Sequence, residues 1–575
     1  MAKLHHLKIQ NFRGLQNFEH IFRDGITCIV GRGDSGKSTI LDAIGLVFSS
    51  SWSVHLNDSD FFLSDTSKPI IIEGTVIKIP DELIVKYKTH LRGVSNDGTI
   101  IDDMESEEAR LVSTETALTI QLKVTKDLEP IWSIVSYNGE DPSPIKANDR
   151  GKLCVFAVSD YTDRHFSLNK GNPLYSLYKR LNGTNIIDED NKVLDVIREA
   201  KEAFDCSIGN KFDSVISKIK EMASTLGLSL NEMKAMLDHR DIAISENKVS
   251  IHEGDIPFRL KGKGSKRLLS LAIQLALTNP SGVILIDEIE QGLEPDRAQH
   301  LVNILSKQNA QQFIITTHSS NVAVELPSDS LYVKVKENGC LLHVGKDLQD
   351  CVRKNPEAFF AKKVVICEGA TEIGICRAIN EFRIKNGLRS ASCAGVRFVD
   401  GTGKAMKNYV KGFLSLGYPT ALFCDSDPEG KEINDLKPAY KEKMVEIIDC
   451  EEGYSIEGQV FKDVPWNVVK ELLEMRMQNR IADDKSPSVE QANRDVFSSI
   501  NARLNHKSTW SENWFENESK EYREAISKTA EDNKWFKRID YGERLGNCIL
   551  NHYSELPEKS KLRGEIDSII KWIDA

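Results

Sequence analysis

The stretch GITCIVGRGDSGKSTILDAIGLVF, residues 25–48, constrains what this chain can fold into more tightly than any other. Thr27 to Val30 is a short apolar run that reads as a buried strand, and Ile40, Leu41, Ile44 and Val47 recur at helical spacing behind it. Between them GRGDSGKS, Gly31 to Ser38, fills the pattern G-x-x-x-x-G-K-S. Glycines at these positions let backbone N–H groups close around phosphate, the lysine reaches the terminal phosphates, and the serine hydroxyl holds magnesium. Arg32, Gly33, Asp34, Ser35, Gly36, Lys37, Ser38 and Thr39 are therefore the expected contacts to ATP, with Ser38 on Mg2+. A flexible glycine turn would need neither the strand before it nor the helix behind it.

The other half of such a site appears much later, in SGVILIDEIEQGLEPDR. Val283 to Ile286 read as a strand with Asp287 and Glu288 at its end, where Asp287 would support magnesium and Glu288 would polarise the water that attacks the terminal phosphate. The same two acids could cap a helix, but the phosphate loop favours the nucleotide reading. A third strand, Gln312 to Thr316, runs into THSS and sets His318 where it could meet the terminal phosphate.

This order resembles the ATPase head of the ABC superfamily, in particular the SMC-like branch that also holds the OLD (overcoming lysogenization defect) nucleases. Asn11, Phe12, Arg13 and Gly14 match that family's opening N-F-R-G element. The resemblance implies a signature loop before the Asp-Glu strand that contacts nucleotide on the opposite head of a dimer. Here the corresponding segment is KGKGSKRLLSLAIQLAL, with Gly264 and Ser265 at its centre and without the full L-S-G-G-Q pattern. Arg259, Lys261, Lys263, Lys266 and Arg267 around it could face nucleotide, DNA or water.

Near residue 360 the pattern begins again. FFAKKVVICEGATEIGICRAINEF places Val364 to Cys367 on a strand, Glu368 and Gly369 at its end and Glu372 on a following helix. GVRFVDGTGKAMKNYVKGFLSLG supplies a strand, a glycine turn and a helix, and YPTALFCDSDPEG repeats strand-then-acid with Asp425 and Asp427. In a βαβ series, strand ends can gather Glu368, Asp425 and Asp427, and carboxylates so gathered hold hard divalent ions that activate water and offset phosphodiester charge. Pro428 and Gly430 equally suit a surface turn.

The C-E-G-A-T-E and C-D-S-D pair resembles the Toprim domain of topoisomerases, bacterial primases and OLD nucleases. Carried over residue by residue, the resemblance makes Glu368 the leading catalytic acid, Asp425 and Asp427 the D-x-D ligands, Glu372 a further acid, Glu457 a ligand of a second metal and Lys537 a late catalytic lysine. From the residues alone, Glu457 could equally face or cap a local helix, and Lys537 could pair with Glu531 or Asp540 in solvent. Trp510, Trp514, Phe515, Trp535 and Phe536 could stack on unpaired bases but more often such residues pack apolar surface.

A chain of 575 residues, 40% hydrophobic, is expected to form roughly two to four globular domains. The expected class is α/β: residues 1–155 and 246–355 as the two parts of an ABC-type ATPase head with inserted strands, 156–245 as a helical dimerisation insertion, and 356–575 as a Toprim βαβ domain with helical elaborations. Strands are expected in IIIEGTVIKI and ALTIQLKVTKD, and helices in SLYKRLN, VLDVIREAKEAF and DSVISKIKEMASTLG. A net charge of -11 argues against uniformly nonspecific nucleic-acid binding without excluding a local basic groove. Eleven cysteines without a C-x-x-C pair fit a reducing compartment. MAKLHHLKIQNF lacks a signal-type apolar stretch and no run suits a bilayer span, so a cytoplasmic protein without membrane partners is expected.

The combination implies an ATP-regulated DNA endonuclease using Mg2+, which Mn2+ could replace, acting as a dimer or larger homo-oligomer. The OLD resemblance further implies anti-phage defence, with a helicase or a retron reverse transcriptase and its msDNA as possible partners. The other readings are an ATP-driven DNA clamp that does not cut and a different Toprim enzyme such as a topoisomerase.

Overall fold

The computed structural model describes residues 2–51, 54–102, 113–139, 141–158, 165–167, 172–182, 209–237, 249–278, 282–308, 310–335, 339–403, 405–426, 445–516 and 518–575. Residues Met1–Gly345 form one compact unit and Lys346–Ala575 a second. Both are α/β, as expected.

The first unit opens with the antiparallel strands β1, Lys3–Phe12, and β2, Leu15–Ile21. Leu4 and Leu7 lie an odd number of residues apart, yet both are buried, because the register against the next strand shifts between Leu4 and His6. An extra residue at such a bulge turns the following side chain back to the core. With β4 (Ile70–Ile77), β5 (Arg92–Ser95), β6 (Ile100–Ile101) and β7 (Ser113–Val124) the sheet runs β2-β1-β4-β7-β5-β6. Pro130–Val135 (β8) and Ser143–Pro144 (β9) extend it alongside β7.

A second sheet of this unit carries the nucleotide motifs. Its strands are β3 (Ile26–Val30), β10 (Val155–Val158), β14 (Val283–Ile286), β15 (Gln312–Thr316), β16 (Leu331–Val333) and β17 (Leu342–His343), in the order β10-β14-β15-β3-β16-β17. All neighbours are parallel except β16 and β17. The helix Lys37–Val47 buries Ile40, Leu41, Ile44 and Val47 among Leu7, Ile9, Ile72, Leu122, Leu285 and Ile314, which draws both sheets into one core. Gly74 on β4 makes room: a Cβ there would stand 2.5 Å from the Phe48 ring.

Between the motifs lie the helices Pro173–Asn182 and Gly209–Thr225 and a small sheet of β11 (Met233–Leu237), β12 (Val249–Glu253) and β13 (Ile256–Pro257). The helix expected in VLDVIREAKEAF falls outside the described residues.

The second unit is built on four parallel strands, β18 (Lys363–Cys367), β19 (Val396–Asp400), β20 (Thr420–Cys424) and β21 (Glu446–Asp449), ordered β19-β18-β20-β21. The helices Ala370–Lys385 and Met406–Ser415 supply crossovers, and six further helices from Ile456 to Asp574 complete the unit. Trp514, Trp535 and Phe536 are buried in this core, with Trp510 and Phe515 packed against it. Apolar packing, the more common role of such aromatics, is thus what these five residues show, with Arg494 over the Trp510 ring and Arg476 over the Trp535 ring.

Candidate active sites

In the first unit, β14, β15 and β3 end side by side, so Asp287, Thr316 and Gly31 arrive at one sheet edge. Gly31 has a φ of 143°, and a Cβ on it would stand 2.8 Å from the Lys334 carbonyl oxygen, so only glycine passes there. Arg32, Gly33 and Asp34 are exposed on the loop, Ser35 is buried under it, and Gly36 leads into the helix with Thr39 half-buried. Lys37 Nζ donates to the carbonyls of Gly31 at 3.0 Å and Arg32 at 2.7 Å. Burial lowers its pKa to about 8, against the pull of Asp287, Glu288, Glu290 and Asp34.

The acid half of the site is drawn together by hydroxyls. Ser38 Oγ donates to Asp287 Oδ1 at 3.0 Å. The Thr316 hydroxyl donates to the same oxygen at 2.5 Å and accepts from the Glu288 N–H at 2.8 Å. Glu288, held at a φ of 44°, places Oε1 3.9 Å from His318 Nε2. A non-glycine residue in that region is strained and is retained where surrounding contacts enforce it. The oxygen donors of Ser38 and Asp287 suit a hard cation such as Mg2+.

The signature segment differs from expectation. Gly264 and Ser265 stand in the first turn of the helix Lys263–Thr278, not in a loop ahead of it. Gly264 packs so closely that a Cβ would lie 2.5 Å from the Gly292 carbonyl oxygen. The basic residues do not form one open patch either: Lys261 pairs with Glu253 at 2.6 Å, Lys266 Nζ donates to the Arg259 carbonyl at 3.2 Å, and Arg267 is buried.

In the second unit, Glu368 follows β18 and Asp425 follows the neighbouring β20. The Glu368 N–H donates to the Phe423 carbonyl at 2.9 Å, and the Asp425 N–H donates to Glu368 Oε2 at 2.9 Å. Glu372, in the first turn of its helix, accepts from the Gly369 N–H at 2.8 Å. Asp425 Oδ1 accepts from the Ile456 N–H at 2.6 Å, which brings the next residue, the fully buried Glu457, to the same place. Lys537 Nζ lies 3.8 Å from Glu457 Oε1. Asp427 lies outside the described residues, as do Pro428 and Gly430.

Burial, reinforced by Glu372 and Glu368, pushes Asp425 well above the usual carboxylate range. Glu372 and Glu457 are also raised by burial, with Lys537 opposing. Lys537 shows the complement: burial works against its charge, but Glu457, Glu372, Asp425 and Glu368 outweigh it and its pKa rises. Glu372 Oε1 and both Glu457 oxygens are buried and accept no hydrogen bond. Unsatisfied buried carboxylate oxygens fit an oxygen-coordinated divalent cation. Among the described residues, however, no three His, Cys, Asp or Glu side chains are yet disposed to hold one. One oxygen each of Glu368, Glu372 and Asp425 is instead turned to a backbone N–H.

Residues 2–323, more than half of the chain, match the family described as AAA ATPase domain. The chain belongs to the AAA ATPase domain family. Residues 359–427 match the family described as overcoming lysogenization defect protein-like, TOPRIM domain, so an OLD-like Toprim domain follows the AAA ATPase domain. The DNA replication and repair protein RecF of Streptococcus uberis is 23% identical over 353 residues, covering 54% of this chain and 92% of that protein. RecF of Streptococcus equi subsp. zooepidemicus is 21% identical over 370 residues, covering 58% and 96%. Among solved structures, an Smc head bound to the C-winged helix domain of ScpA aligns over 59% of this chain and 96% of its own, at 16% identity and a TM-score of 0.36. RecF-ATP aligns over 58% and 98%, at 15% identity and a TM-score of 0.34. Among the described residues no helix is long and apolar enough to cross a membrane.

Thr316 in the AAA ATPase domain and Thr371 in the Toprim domain were not among the expected site residues, and Arg267, expected to face nucleotide, DNA or water, instead braces the acid turn. Thr316 is the crosspiece between Asp287 and Glu288, and its place at the end of a buried strand was the available signal. Arg267 donates to the Glu288 carbonyl at 3.0 Å and Gln291 Oε1 at 2.9 Å, bracing the turn behind the acids. Thr371 donates from its hydroxyl to the Phe536 carbonyl at 3.1 Å and so ties the turn bearing Lys537 to the helix bearing Glu372.

Proposed function

We propose that this protein is an ATP-regulated, divalent-metal-dependent DNA endonuclease that hydrolyses phosphodiester bonds at its Toprim domain. The observation that carries the reading is the convergence of Glu368, Glu372, Asp425 and Glu457 with one lysine, Lys537. Three buried carboxylates and a half-buried fourth, without added positive charge, repel one another and are costly to ionise. Glu368, Asp425, Glu372 and Glu457, with Asp427, would hold the cation, which when bound lowers the pKa of an attacking water and offsets phosphate charge. Lys537, whose charge the acids maintain, would face the scissile phosphate and stabilise charge building on its oxygens.

In the AAA ATPase domain, Lys37 would leave the loop carbonyls for the ATP phosphates. Ser38 and Asp287 would hold Mg2+, Glu288 would orient water, and His318 would meet the terminal phosphate. ATP would then govern association between copies, with Gly264 and Ser265 reaching the partner's nucleotide, and through it access to the nuclease centre. The OLD-like Toprim match supports a role in defence against phage.

The test is nicking of supercoiled plasmid in Mg2+ or Mn2+, with and without ATP. Metal-dependent cleavage that ATP changes is the expected result. ATP-dependent retention of DNA with no cleavage under either metal would reject the nuclease in favour of a clamp.

A further inference from the structure

Beyond Asp287 and Glu288 a third acid, Glu290, holds the histidine turn. Glu290 Oε2 accepts from the Thr317 hydroxyl at 2.6 Å, and Oε1 accepts from the His318 N–H at 2.6 Å. One carboxylate thus bridges two successive residues of the turn after β15. Thr317 is fully buried, and its hydroxyl oxygen also accepts from the Ser319 N–H at 3.0 Å. Bonds to an ionised acceptor at such distances are shorter and stronger than neutral ones. With both oxygens engaged, the Glu290 charge is directed into the turn.

The platform under Glu290 is itself stiff. Arg267 bonds the Glu288 carbonyl and Gln291 from one side, the Ile289 N–H donates to the Thr316 carbonyl at 3.1 Å, and Gly292 lies against Gly264. Glu288 is fixed to β15 through Thr316, and His318 is fixed to the 287–293 loop through Glu290. The two side chains that meet at 3.9 Å, Glu288 and His318, are therefore each held by the other's strand.

From this cross-bracing we infer that Glu290 is a positioning residue for ATP hydrolysis: it sets the Thr317–His318 turn so that the His318 imidazole stands beside Glu288 at the terminal phosphate. The inference rests on the proposed ATPase chemistry of Ser38, Asp287, Glu288 and His318. Glu290 touches neither phosphate nor water. Its removal should leave nucleotide binding by the phosphate loop in place and slow the chemical step.

Phosphate release from ATP by the full chain, with affinity for a fluorescent ATP analogue measured alongside, decides it. Glu290→Ala should lower kcat by about 30-fold or more while nucleotide Kd moves less than about threefold. Because Glu290 acts through His318, the double variant Glu290→Ala/His318→Ala should fall within about twofold of His318→Ala alone. Thr317→Val, which removes one of the two bonds, should lose about fivefold, and Thr317→Ser should recover it. A merely structural role would raise Kd and multiply with His318→Ala. Glu290→Ala within threefold of wild type, multiplicative single effects, or Thr317→Ser as slow as Thr317→Val would each overturn the inference. Should Glu290→Ala lose its thermal transition, the Thr317 pair decides alone. A wild-type protein that binds the analogue but hydrolyses no ATP would instead overturn the ATPase reading, and with it the inference.

Discussion

The two acidic centres are built on the same plan, carboxylates at the ends of neighbouring parallel strands, yet they differ in how those carboxylates are satisfied. In the AAA ATPase domain, Asp287 holds Ser38 and Thr316 while Glu290 holds Thr317 and His318. In the Toprim domain, Glu372 Oε1 and both Glu457 oxygens accept no hydrogen bond, and burial raises Glu372, Asp425 and Glu457 together. The first centre is braced by its own hydroxyls and N–H groups before a ligand arrives. The second gathers buried carboxylates whose ionisation one lysine only partly favours, and in the proposed function a bound cation would supply the rest.

The largest effect that tests this contrast is on activity. Glu368→Ala or Asp425→Ala should reduce metal-dependent plasmid cleavage by about a thousandfold or more and leave ATP hydrolysis within about threefold, whereas Lys37→Ala should do the reverse to hydrolysis. Equal loss of both activities in the acid variants, with folding intact by circular dichroism, would mean that the centres are not separable.

The next effect concerns how the lysine is delivered. The helix after Lys537, Ile539–Asn551, crosses the helix of Glu372 at glycine: a Cβ on Gly542 would lie 2.7 Å from the Thr371 carbonyl oxygen, and one on Gly374 2.4 Å from the Glu543 N. Gly542→Ala must push the helices apart, which should cost about 1–3 kcal/mol of stability and lower cleavage about tenfold or more as Lys537 recedes. ATP hydrolysis should be unchanged. Cleavage at the wild-type rate in a destabilised Gly542→Ala would show that Lys537 is not placed by this crossing.

A smaller effect is thermodynamic. Mn2+ at about 100 times its Kd should stabilise the Toprim unfolding transition by about 2.7 kcal/mol. Glu457→Gln should gain less from Mn2+ than wild type. A differential scanning fluorimetry series in nucleotide-free buffer reads both. An Mn2+ shift unaltered by Glu457→Gln would remove that residue from the cation site.

What could be read before the structure follows from range. Val283–Ile286 and Gln312–Thr316 were legible as strands to the residue because buried parallel strands are continuous apolar runs, and Glu368 and Asp425 because each ends such a run. Glu290 was not legible: nothing in DEIEQG says that its fourth residue folds back onto a turn from another strand. Lys537 was open to pairing with Asp540, but Arg538 takes that acid at 2.8 Å and leaves Lys537 to Glu457. The start of the helix at Lys263 was hidden by Gly262 and Gly264, which disfavour helix locally; Gly264 is required here by the close approach of Gly292.

The smallest effect separates the acids proposed to hold the cation from a buried acid outside that centre. Glu565 is 3% exposed on the helix Lys561–Asp574. Burial, with Asp463 and Asp449 adding to it and Lys561 and the Cys450 thiol opposing, pushes its pKa from 4.5 to about 8. The folded state therefore keeps a proton that the unfolded chain gives up: the associated stability is full below the unfolded value near 4.5 and is lost as pH rises through about 8. The shift bounds the loss at about 5 kcal/mol, and roughly 2 kcal/mol is expected after the chain relaxes. Glu565→Gln removes the titrating group, so its advantage over wild type should grow between pH 5 and pH 8.5 by about 5 °C in the melting temperature of the Toprim unit. Cleavage should be unaffected, because Glu565 belongs to none of the proposed catalytic contacts. A stability difference that is flat across that pH range would show that Glu565 titrates in the ordinary carboxylate range despite its burial.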